Sequence, residues 1–261
     1  MIHHRPDPIR SALLRFVRYL PLACMTTFLC GLPLNADAQE ATWNLNPVSR
    51  DWNTAANWTP ATVPTDTATS GVSNRTAISS QEAIVISNIV FSVGASSYTF
   101  SLLPGRGWSI LGDGIMNSSG VAQNFVAQSG STIFFLNFSG AGDSSTVLTA
   151  AASSESGGSE GEIHFVDFST GGSATLVGAG AVVSGADGGL VLFTAGSSAT
   201  TANILTKAGL VSGALGGVCQ FLETTSAANS AITCEGATTD GAAGGTVMFL
   251  NSSTAANSAH R

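Results

Sequence analysis

Lysine occurs once in this chain, at Lys207, and charged side chains of every kind make up only 10% of its 261 residues. Nucleic acid and anionic membrane surfaces are held chiefly by clustered Lys and Arg, so a chain this poor in cations has no electrostatic footprint for either. Cysteine is limited to four residues, and two of them, Cys24 and Cys30, fall in an apolar N-terminal stretch. The remaining pair, Cys219 and Cys234, has no histidine nearby and does not make a metal site. Beyond the N-terminal stretch, apolar residues never recur at three and four positions for long, so no long helix is expected. Nor is any segment there apolar for long enough to span a bilayer as a helix.

What the chain has instead is glycine, serine, threonine, alanine and a period. Phe165, Phe193, Phe221 and Phe249 recur every 28 residues, each closing a triplet: Ile163-His164-Phe165, Val191-Leu192-Phe193, Cys219-Gln220-Phe221 and Val247-Met248-Phe249. Leu176, Ile204 and Ile232 follow at eleven residues, with His260 in the same place near the end. Glycine pairs precede the triplets at Gly188-Gly189, Gly216-Gly217 and Gly244-Gly245. An earlier copy, Ile133-Phe134-Phe135, lies thirty residues before Phe165 and is followed after twelve by Val147, which makes five copies.

A period of this length is the signature of a solenoid, whose repeats bury their apolar faces only by stacking on one another. Short β-branched or aromatic runs bounded by Gly, Asn and Ser read as strands and turns. Two strands and two turns per repeat fit one coil of an all-β, right-handed parallel β-helix with coils about 4.8 Å apart. Equivalent phenylalanines then form one interior ladder, and Leu176, Ile204 and Ile232 a second. The glycines are expected to supply positive φ at tight turns. Disorder conflicts with a chain that is 44% hydrophobic and keeps its apolar residues in phase. A β-sandwich would not explain the fixed period.

Residues 1–38 read as a cleaved secretory signal. Arg5, Arg10, Arg15 and Arg18 form the basic n-region, Tyr19 to Leu34 the apolar stretch, and Ala36-Asp37-Ala38 the small-x-small cleavage pattern. The chain is therefore expected to be exported. Residues 39–261 carry five basic and fourteen acidic side chains, a net charge of −9. In an oxidising compartment Cys219 and Cys234 are candidates for a disulfide; the register of Cys219 with Ile163, Val191 and Val247 equally suits a buried thiol.

Residues 39–106 differ in kind from the repeats of 107–261. Trp43, Trp52 and Trp58 fall within sixteen residues, among Asn, Thr and Pro. They are either a platform that stacks on sugar rings or a cap over the first coil, and the cap is the simpler reading.

The stretch from Trp43 to Ala68, with its core Asp51-Trp52-Asn53-Thr54-Ala55-Ala56-Asn57-Trp58, resembles the N-terminal module of bacterial autotransporter-type surface proteins. Gly114 to Gly120 with Gln123-Asn124-Phe125-Val126, and repeats such as Ser226 to Ile232, are similar to the autotransporter-associated β-strand repeats of those proteins. The resemblance covers residues 41–261. It implies a β-helix passenger carried to or beyond the outer membrane. With the export signal, the ladders and the scarcity of reactive side chains, a structural or adhesive surface role is expected, with a surface glycan or a host or neighbour-cell ligand as partner. Members of that family usually end in a membrane β-barrel or a sorting tail. This sequence stops at Arg261 inside the fifth repeat, so a longer parent protein is expected.

β-Helices also host polysaccharide lyases and hydrolases, the alternative reading, and such chemistry would fall to the acids. Glu160, Glu162 and Asp167 are the densest, and alternation puts Glu160, Glu162 and His164 on the outward face, away from Phe165. A solvated face with scattered charges is the simpler account. No nucleophile elbow of the G-x-S-x-G kind, phosphate loop, H-E-x-x-H helix or calcium nonapeptide is expected. The sequence thus points to a non-enzymatic protein with no cofactor, no metal and no catalytic residue.

Overall fold

The computed structural model describes residues 38–261; the export signal read over residues 1–38 lies, but for Ala38, outside the described residues. Gln39–Arg261 form one compact unit. Its two long sheets are built by the short β-branched and aromatic runs. Sheet A contains β1 (Ala41–Trp43), β2 (Trp58–Thr59), β3 (Thr67–Ser70), β5 (Ile84–Phe91) and β7 (Gly107–Asn117). It continues through β9 (Thr132–Phe135), β11 (Glu162–Phe165), β13 (Leu190–Phe193), β15 (Val218–Phe221) and β17 (Thr246–Phe249). Sheet B contains β4 (Ala77–Ser80), β6 (Thr99–Leu102), β8 (Gln123–Ala127) and β10 (Thr146–Ala150). Its later members are β12 (Thr175–Gly178), β14 (Asn203–Thr206), β16 (Ala231–Cys234) and β18 (Ala259–His260). From β3 onward each coil gives one strand to each sheet, and each strand pairs in parallel with its equivalent one coil away. The fold is a parallel β-solenoid.

Register explains the period. Phe135, Phe165, Phe193, Phe221 and Phe249 are direct partners along sheet A. Their rings stack with centroids 4.6–4.8 Å apart and planes within 5–12° of parallel. Ile86 and Ile110 extend the same column towards the N-terminal end. Across the interior, sheet B aligns Phe100, Phe125, Leu148, Leu176, Ile204 and Ile232. Leu148, fully buried, occupies the position that the spacing assigned to Val147, which pairs with Thr175 and is half-buried. The turn between β9 and β10 is longer than its counterparts, so counting from the phenylalanine falls one residue short.

The coil has three sides, not two. A line of single-residue parallel bridges runs through Gly114, Gly140, Thr170, Ser198, Ser226 and Thr254. From β9 onward each coil therefore turns three times, with a positive-φ residue at a fixed place in each turn. After the sheet A strand it is Asn137, Asp167, Ala195, Glu223 or Asn251, with φ between 57° and 61°. Before the sheet B strand it is Gly142, Gly172, Thr200, Ala228 or Ala256. In the long return loop it is Gly157, Gly185, Gly213 or Gly241. A non-glycine residue there costs about 1–2 kcal/mol, and contacts from the next coil hold it in place. The Ala195 N–H donates to Glu223 Oε2 at 2.7 Å, and the Asn137 N–H to Asp167 Oδ2 at 3.2 Å.

At the N-terminal end β1 pairs in parallel with β3, and the two-residue β2 turns back antiparallel on β1. A strand this short blunts the edge of sheet A against further pairing. Both sheets continue across residues 106 and 107, since β5 pairs with β7 and β6 with β8. The tryptophan-bearing segment therefore belongs to the same stack as the repeats.

Candidate functional site

The three tryptophans predicted as a glycan platform or cap are inside. Trp43, Trp52 and Trp58 are 2%, 0% and 2% exposed, so no indole face is open to a sugar ring. They pack edge-on, Trp43 on Trp58 at 5.0 Å and Trp52 on Trp58 at 4.8 Å. Trp108, far from them in sequence and not expected beside them, joins at 5.0 Å from Trp52. Buried indole N–H groups usually find partners; three of these four do, and Trp52 Nε1 has none among the described residues. Trp43 donates to the Arg75 carbonyl at 3.0 Å, Trp58 to the Trp52 carbonyl at 2.8 Å, and Trp108 to Ser80 Oγ at 3.1 Å. The buried Asn57 side chain ties this end together, donating to the Asp51 carbonyl at 2.7 Å and Ser49 Oγ at 2.8 Å.

Outside this aromatic plug the chain forms a pocket of about 430 Å³ between two turns, lined by Asn46, Pro47, Arg50, Asn74, Arg75 and Thr76. The Asn74 amide donates to Asn46 Oδ1. No acidic residue is in the lining. Asp51, next to Arg50, is turned to other partners: Thr54 Oγ1 donates to its Oδ2 at 3.0 Å and the Gln81 N–H to its Oδ1 at 3.3 Å.

The acids of the repeats are partly brought together. Glu162 and His164 lie on β11, with Glu162 Oε2 2.9 Å from His164 Nε2. The His164 ring also meets Phe134 edge-on at 5.1 Å. Glu160 precedes the strand, and Asp167 sits in the following turn. A solvated face does not describe them, because Glu160 and His164 are 3% and 2% exposed. One motif expectation needs correcting too. Gly157-Gly158-Ser159-Glu160-Gly161 does have the G-x-S-x-G spacing. A nucleophile elbow places its serine on a strand-to-helix turn, whereas Ser159 lies in a loop between β10 and β11.

Cys219 and Cys234 are both free thiols. Cys219 is fully buried in the column of Ile133, Ile163, Val191 and Val247. Burial first, and the neighbouring Cys234 second, push its thiol well above the ordinary range. The thiolate is the reactive form, so iodoacetamide at about pH 8 is expected to modify Cys234 and spare Cys219 until the chain is unfolded. Peptide mapping by mass spectrometry reads this, and equal modification of both in the folded chain would refute it. The linkage has a definite sign. A thiol whose folded value is raised favours folding below the unfolded value of 9.0 and loses that contribution as pH rises past it. Tyr98, pushed by burial from 10.0 up to about 12, acts in the same direction. The melting temperature is therefore expected to fall on going from pH 9 towards 12.

Among the described residues, no helix is long and apolar enough to cross a membrane. A scan against protein-family models finds no match, and searches of curated proteins and of solved structures return none either.

Proposed function

We propose that this chain is a non-enzymatic passenger of the autotransporter type, exported to the cell surface, where its solenoid works as a stiff adhesive or structural rod. The observation that carries the reading is the unbroken stack of like side chains along one axis. Interior positions hold aromatic and aliphatic ladders, and the turns carry Ser, Thr, Asn and Gly. Such a stack gives length and a long repeated surface for few large residues. The basic, apolar and small-residue succession of residues 1–38 supports export, and an acidic, lysine-poor chain suits a secreted surface protein.

The test is protease digestion of intact cells expressing the full chain with its native signal. Surface display predicts digestion without lysis and loss of the signal from the mature chain. Retention of an uncleaved chain inside the cell would defeat the proposal. One observation favours a second reading, a carbohydrate-active enzyme: the Glu162–His164 pair on β11. That reading requires glycan cleavage by the purified chain, abolished in Glu162→Gln.

A further inference from the structure

Five cationic side chains follow residue 38, and two of them, Arg50 and Arg75, line one pocket in a chain of strongly negative charge. Among the described residues neither guanidinium has an ion-pair or hydrogen-bond partner. Arg106 shows the contrast, since its Nε donates to the Gln81 carbonyl at 2.7 Å. The turns that carry the two arginines are nevertheless fixed. The Arg75 carbonyl accepts from the Trp43 indole at 3.0 Å and from Ser73 Oγ at 3.3 Å. The Arg50 carbonyl accepts the Ser79 N–H at 2.9 Å, and the Asn74 N–H donates to the Leu45 carbonyl at 2.9 Å. The Trp43 indole thus anchors the Arg75 backbone and strand β4 that of Arg50, and both arginines line a concave site without acids.

We propose that this pocket is an oxyanion site that takes the carboxylate or sulfate group of an acidic saccharide. Guanidinium forks match such groups two hydrogen bonds at a time, which favours Arg over Lys for this task. The carrier is read from the other lining groups. The Asn74–Asn46 hydrogen bond uses one amide donor and one acceptor. It leaves an acceptor on Asn74, a donor on Asn46 and the Thr76 hydroxyl for sugar hydroxyls. The site is distinct from the tryptophans, whose faces are closed, and it holds whether or not the chain reaches the cell surface.

Calorimetric titration of the full chain tests this with four probes: trigalacturonate, a sulfated disaccharide, inorganic sulfate and the neutral maltotriose. Binding of one or both acidic saccharides is expected, and which one binds identifies the oxyanion. Arg50→Gln and Arg75→Gln should each weaken it roughly tenfold or more, the loss of a charge-assisted hydrogen bond. Raising NaCl to ~0.5 M should weaken it as well, because exposed charges are screened. Both arginines are exposed, so the variants should keep the wild-type circular dichroism spectrum. Any of three results overturns the proposal: no acidic saccharide binds; the Arg50→Gln/Arg75→Gln double variant binds as wild type does; or maltotriose or inorganic sulfate binds as tightly as the acidic saccharides.

Discussion

Phe193→Ala should lower the unfolding free energy by about 3–5 kcal/mol, the range for deleting a fully buried aromatic side chain. Phe193 is 0% exposed and stacked on both sides, 4.6 Å from Phe165 and 4.7 Å from Phe221. Truncation removes ring contacts on two coils at once, and the rigid backbone ladder on either side keeps the cavity from collapsing. Phe249 provides the control. It has one stacked neighbour and is only half-buried, so Phe249→Ala should cost less than about 2 kcal/mol. Urea titration followed by far-UV circular dichroism measures both. A solenoid is a chain of nearest-neighbour contacts, so the defect should also separate two signals. All four tryptophans lie in the first coils, and their fluorescence should report unfolding at higher urea than circular dichroism does in Phe193→Ala. Equal costs for the two substitutions would mean that the ladder is not what binds the coils.

The ladders were legible because their repeat is a physical consequence of stacking. In-register parallel strands put residue i directly beside residue i+28, and a gap in such a column leaves a void in two coils. The same argument places Cys219 and Leu176 inside from the sequence alone. Earlier coils were less legible, since neighbouring strands there are separated by varying counts: Ile84 pairs with Trp108, and Ile133 with Ile163. Irregular turn lengths erase a fixed period without disturbing the stack, and this also moved the predicted ladder residue from Leu148 to Val147. The third side of the coil was not read from the sequence, although its hydroxyl residues Thr170, Ser198, Ser226 and Thr254 recur every 28 positions. It consists of one bridge residue per coil, Thr170, Ser198 or Ser226, and one polar residue carries no alternation.

The candidate site was legible only in composition. Three tryptophans within sixteen residues signalled a special segment, but exposure depends on the chain folding back through Asn57 and β2, which no local pattern encodes. Arg50 and Arg75 lie 25 residues apart and meet because their turns are stacked one coil from the other. Only the register, once known, brings them to one pocket.

The aligned glycine pairs have a different cause from the one their sequence suggests, and Gly189→Ala exposes it. None of Gly188, Gly189, Gly216, Gly217, Gly244 and Gly245 has positive φ. The second glycine of each pair closes a loop instead: the Gly189 N–H donates to the Ala179 carbonyl at 2.8 Å, and the Gly217 N–H to the Lys207 carbonyl at 2.7 Å. This brings it against the sheet B strand. A Cβ on Gly189 would stand 1.9 Å from the Ala150 carbonyl oxygen, and one on Gly217 2.0 Å from that of Gly178. Both obstacles are backbone atoms held in the parallel ladder, so relief requires moving a strand. Overpacking of this kind costs typically about 1–3 kcal/mol and sometimes more, and Gly189→Ala should lie at or above the top of that range. Gly236 lies in the equivalent return loop of the next coil but one, and a Cβ there meets nothing within 4 Å. Gly236→Ala should therefore leave stability unchanged or raise it by up to about 1 kcal/mol, through the lower entropy of the unfolded chain. Side-by-side urea midpoints decide the matter, and coincident midpoints for the two variants would remove the close approach of chain to strand as the reason for the paired glycines.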